Sequence, residues 1–110
     1  MLLGILERMQ DGVVIIGPDY RVRFANATMA REFGVSVGST CYESIYDRES
    51  PCPEICRLKS VLGGSVERWQ YVFPDGRSYE IVASSFLDYD GTVCSLAQYR
   101  DIFADSIPEK

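Results

Sequence analysis

The stretch from Gly12 to Gly34, GVVIIGPDYRVRFANATMAREFG, constrains the rest of the chain more than any other. Val13, Val14, Ile15 and Ile16 form a β-branched apolar run, and Gly17-Pro18-Asp19 supplies turn chemistry: proline presets φ, while glycine and aspartate tolerate unusual angles. Arg21 to Ala25 then alternates polar and apolar, the pattern of a strand with one wet face. Asn26 stands where an N-cap belongs, with its side-chain oxygen able to accept the N–H of Thr28 or Met29, and Gly34 stands where a left-handed C-terminal cap ends a helix. The expected unit is a hairpin feeding a short helix.

The remaining segments extend that pattern. Leu2, Leu3, Ile5, Leu6 and Met9 fall at helical spacing, so residues 1–10 are expected to form an N-terminal helix that either covers the core or makes a dimer face. After a loop from Val35 to Thr40, Cys41 to Tyr46 reads as about one turn of helix. A second helix is expected from Pro53 to about Leu62, with Ile55, Leu58 and Leu62 on one face and Gly63-Gly64 ending it. Strands are expected at Val66 to Phe73, Ser78 to Leu87 and Thr92 to Tyr99, joined by Pro74-Asp75-Gly76-Arg77 and Asp88-Tyr89-Asp90-Gly91. Links this short force antiparallel pairing. Ala104 to Lys110 is expected to fray.

Composition removes several function classes. A chain of 110 residues holds one domain, and an apolar fraction of 46% is that of a folded protein. The net charge of -5 opposes direct nucleic-acid binding. No run approaches the roughly 20 apolar residues that span a bilayer, so no membrane contact is expected of this segment and the expected location is the cytoplasm. Histidine is absent, which removes a histidine haem ligand, a histidine phosphoacceptor and histidine general bases. Asp75, Asp88 and Asp90 sit at turns, Glu43, Asp47 and Glu49 read as solvated charges, and there is no glycine-rich phosphate loop. No catalytic set is assigned, and the chain is not expected to be an enzyme.

Asp11-Gly12, the apolar strand, Pro18-Asp19, Ala25-Asn26 and Phe33-Gly34 together resemble the opening of PAS sensor domains. Asp90-Gly91, an apolar strand and Arg100-Asp101-Ile102 resemble the family's closing strand and exit motif, with Phe103 where the family has threonine. The resemblance covers about residues 11–103. It implies an α+β fold: a five-stranded antiparallel sheet with helices packed on one face, preceded here by the N-terminal helix. It also implies a sensory input domain of a bacterial sensor kinase or transcriptional regulator, with residues 104–110 leading to an output domain and Arg100, Asp101 and Ile102 as the signal exit. PAS domains that bind a ligand hold it between sheet and middle helices, so the resemblance implies a lining of Phe33, Ile45, Leu58, Leu62, Trp69, Tyr71, Tyr79, Ile81, Cys94 and Leu96. A packed core without a ligand, serving a dimerisation module, is the alternative. The flavin-photosensing motif is absent, and no cofactor is assigned.

Cys41, Cys52, Cys56 and Cys94 leave three readings open. They are buried small hydrophobes, or a redox switch at Cys41, Cys52 and Cys56 beside a helix start that favours thiolate, or metal ligands. Cys41 through Cys56 also resembles a cysteine-bearing PAS variant whose second pair is usually two residues apart. Three residues separate Cys52 from Cys56 here, and no metal is assigned.

Overall fold

The computed structural model describes residues 11–49 and 58–101. Its elements run β1 (Gly12–Ile16), β2 (Val22–Ala25), α1 (Ala27–Phe33), α2 (Cys41–Ser44), α3 (Leu58–Leu62), β3 (Glu67–Val72), β4 (Ser78–Leu87) and β5 (Val93–Asp101). The strands form one five-stranded antiparallel sheet in the order β2-β1-β5-β4-β3. The expected N-terminal helix, the expected helical residues before Leu58, Cys52, Cys56 and Ile102 lie outside the described residues.

The opening unit folds as its residues dictate. Asn26 has extended backbone and its side-chain oxygen accepts from the Met29 N–H, while Gly34 takes φ 69° and donates its N–H to the Ala30 carbonyl. Between β1 and β2 the Gly17 N–H reaches the Arg21 carbonyl at 2.9 Å, and Tyr20 takes the left-handed φ of 70° that closes the turn. The register shifts between Ile15 and Ile16, so that Arg23 is the extra residue of a bulge. The loop after α1 does more than connect. The Val22 N–H donates to the Ser39 carbonyl and the Gly38 N–H to the Val22 carbonyl, both at 2.8 Å, so residues 38–40 cover the outer edge of β2.

Side-chain alternation sorts the sheet into two faces. One carries Val14, Ile16, Tyr79, Ile81, Ala83, Ala97 and Tyr99, and these pack with Met29 of α1, Cys41 and Ile45 at α2, and Leu58 and Val61 of α3 into one buried cluster. All three helices therefore lie on this face. The other carries Val13, Ile15, Val82, Cys94, Leu96, Gln98 and Arg100. Strand ends differ by a residue or two from expectation: β5 continues to Asp101 because Asp101 still pairs with Tyr79.

Candidate functional site

Beneath the helices the core is unusually aromatic. Phe33 closes α1, Tyr46 follows α2, Tyr71 and Phe73 come from β3 and its turn, Tyr79 from β4 and Tyr99 from β5. Their ring centroids lie 4.7 Å apart for Tyr71 and Phe73, 5.3 Å for Phe33 and Tyr79, and 5.7 Å for Phe33 and Tyr99. Tyr46 stacks on Phe73 at 5.5 Å and meets Tyr71 edge-on. Such contacts each add to the burial of the ring area itself.

Two polar links are built into this apolar setting. The hydroxyls of Tyr46 and Tyr99 are 2.8 Å apart, joining the residues after α2 to the last strand. The Tyr79 hydroxyl donates to Glu32 Oε1 at 2.6 Å, joining β4 to α1. Burial first, and then the neighbouring Glu32 carboxylate, push the Tyr79 phenol up to about 12, because both oppose the phenolate. Arg77 completes the corner. Its guanidinium lies 4.8 Å from the Phe33 ring centroid, donates to the Glu32 carbonyl at 2.7 Å, and pairs with Asp75 through Nε at 2.8 Å.

Eight of the ten residues assigned to the lining meet here. Ile45, Leu58, Tyr79 and Ile81 belong to the buried cluster, and Phe33, Leu62, Trp69 and Tyr71 pack against it. Cys94 and Leu96 do not. They face away from the helices, because Ala97 and Tyr99 are the β5 residues that face Ala83 and Ile81. Tyr46, Phe73, Tyr99, Glu32 and Arg77 are the residues that sequence reasoning missed. Tyr99 had a signal: it lies two residues from Ala97 and shares its side of the strand. Tyr46, beyond the end of a four-residue helix, had none.

On the opposite face a depression of about 330 Å³ is lined by Asp11, Arg68, Glu80, Val82, Gln98 and Arg100. Its charges are arranged in opposition. Arg68 pairs with Glu80 at 3.2 Å, Glu80 stands directly across from Arg100 in the β4–β5 register, and Gln98 donates to Asp11 at 2.7 Å. Of the expected exit residues, Arg100 lies here and Asp101 ends β5 on the helix side. Cys94 is fully buried further along this face, where burial raises its thiol above the ordinary value and favours the protonated form. Nearby, Arg23 bridges Asp88 and Asp90, each at 3.1 Å. Cys41 is buried among the core residues on the helix side, so Cys41 and Cys94 are separated by the sheet. No group of three or more cysteine, aspartate or glutamate side chains is placed to hold a metal among the described residues. Nor is any described helix long and apolar enough to cross a membrane.

No family model matches the sequence, and no curated protein matches it. Solved structures do. The PAS domain of nitrogen regulation protein NR(II) from Vibrio parahaemolyticus is similar over 92% of this chain and 97% of its own, with TM-score 0.70 and 20% identity. The PAS domain of BvgS from Bordetella pertussis is similar over 96% of this chain and 85% of its own, with TM-score 0.59 and 13% identity. A domain of a sensory box sensor histidine kinase/response regulator from Geobacter sulfurreducens is similar over 91% of this chain and 90% of its own, with TM-score 0.56 and 17% identity. Strand order, the one-sided helices and these superpositions converge: the chain has the fold of a PAS domain.

Proposed function

We propose that this chain is a sensory input domain of a signal-transduction protein, with its aromatic interior as the sensing site. The observation that carries the reading is the Tyr46–Tyr99 hydroxyl pair. It ties the interior under the helices to β5, the strand that runs out through Arg100 and Asp101. A small, largely apolar molecule with a hydroxyl or carbonyl group would exchange hydrogen bonds with that pair and favour one packing of α2 and α3 on the sheet. A ligand biases two packings only by its difference in affinity for them, and the bias reaches an output domain through residues 102–110. Fold similarity to parts of sensor kinases supports the role and leaves the ligand to the site's own chemistry. A redox input through Cys41, Cys52 and Cys56 is the finer alternative within the same reading; Cys94 takes no part in it because the sheet separates it from Cys41.

Native mass spectrometry of anaerobically purified protein, compared with the denatured mass, tests the proposal. Excess mass lost on denaturation and absent from Tyr46→Phe supports ligand sensing. A bare native mass, together with a melting temperature unmoved by a panel of small aromatic and carbonyl compounds, overturns it in favour of an interaction module with a packed core.

A further inference from the structure

The two edges of the sheet are treated differently. On the β2 side residues 38–40 occupy the outer backbone groups, and the strand is short and bulged. On the β3 side there is a regular six-residue strand whose register with β4 runs unbroken from Glu67–Ala83 to Val72–Ser78. The Phe73 N–H donates to the Arg77 carbonyl, which makes that pair hydrogen-bonded, and antiparallel alternation then turns Tyr71, Trp69 and Glu67 toward β4. The N–H and C=O groups of Arg68, Gln70 and Val72 consequently point outward, and no backbone partner meets them among the described residues. All three residues are exposed.

Natural sheets blunt such an edge with proline, a bulge or charged side chains. β3 has neither proline nor bulge. Its two charges, Glu67 and Arg68, are opposite, and Arg68 is further matched by Glu80. The strand is also complementary to itself. Paired antiparallel with a second β3 about a two-fold axis through Gln70, it sets Gln70 against Gln70 and Arg68 against Val72, so that all three outward residues form hydrogen-bonded pairs. No like charges stand opposite one another. On the helix side of the sheet the same register sets Trp69 against Tyr71 twice, the aromatic cross-strand pairing that stabilises sheets.

We propose that β3 is a homotypic docking edge, through which two copies of this chain join their sheets into one continuous sheet. The occupant is a second copy because the register satisfies the outward hydrogen bonds, pairs the aromatic residues and opposes no like charges, without any outside sequence. The proposal does not depend on the sensory reading.

Gln70→Pro is the discriminating variant. It deletes an N–H that points away from β4, so the ladder within one chain is kept while the centre of the proposed pairing is lost. Sedimentation over a concentration series is expected to give a monomer–dimer equilibrium for the parent protein and at least a tenfold weaker one for Gln70→Pro, with the melting temperature nearly unchanged. If the proline variant fails to fold, hydrogen exchange on the parent protein decides. The amides of Arg68, Gln70 and Val72 are expected to be protected at high concentration and released on dilution, while those of Trp69 and Tyr71 stay unchanged. A parent protein that is monomeric throughout, a dimer that Gln70→Pro leaves intact, or edge amides indifferent to dilution would overturn the proposal.

Discussion

Asn26 is fully buried and spends both ends of its side-chain amide. Oδ1 accepts from the Met29 and Val13 N–H groups, each at 3.1 Å, and Nδ2 donates to the Asp11 carbonyl at 2.9 Å. One side chain thus caps α1 and fastens it to the start of β1. Asn26→Ala removes the cap and strands buried polar groups, so a loss of about 2–4 kcal/mol is expected in urea unfolding. Tyr79 gives a different signature. Its phenol ionises near 12 in the fold against 10.0 for a free tyrosine, so the folded state holds the proton more tightly than the unfolded one. The resulting stabilisation is intact below pH 10 and falls away as pH rises toward 12. Thermal melts at rising pH are expected to show this alkaline loss in the parent protein and a shallower one in Tyr79→Phe, and ultraviolet titration is expected to lose one late-ionising tyrosine.

At the scale of elements, two glycines hold α1 for different reasons. Gly34 lies at φ 69° with open space around its missing Cβ, so Gly34→Ala costs only backbone strain, about 1 kcal/mol. Gly12 instead lets Met29 approach: an added Cβ would stand 2.5 Å from the Met29 sulfur. Gly12→Ala is expected to cost about 1–3 kcal/mol through displacement of that buried side chain, and Met29→Ala made on top of it should recover part of the penalty in a double-mutant cycle. These local devices are why the hairpin and capped helix were legible in the sequence: Asn26 and Gly34 act within a few residues of themselves. β4 was legible end to end, because Pro74 to Arg77 and Asp88 to Gly91 are turn sequences on either side of it. The direction of Cys94 and Leu96 was not. Cys94 and Ser95 are adjacent and both buried, so the alternation that would mark the inner face is broken at the start of β5. Tyr99, in step with Ala97, was open to that reading, but its partner Tyr46 was not, and the hydroxyl pair at the centre of the candidate site went unseen with it.

For the molecule as a whole, the resemblance at the two ends of the chain identified the architecture, whereas the site joins residues of those ends to residues from the elements between them. Phe33, Tyr46, Phe73 and Tyr99 come from four parts of the sequence and meet only after the sheet is complete. That sheet has an order with a temporal meaning. β5, the last of the described strands to be made, lies in the middle, between β1 and β4, and Gln98 reaches back across 87 positions to Asp11. Until residues 93–101 leave the ribosome, the amino-terminal hairpin and the β3–β4 hairpin have no shared strand to join them, and neither hairpin alone is stable in water. Synthesis therefore runs past both hairpins before the sheet can close, and a chain cut short before Val93 is left to chaperones and proteases as two unjoined hairpins.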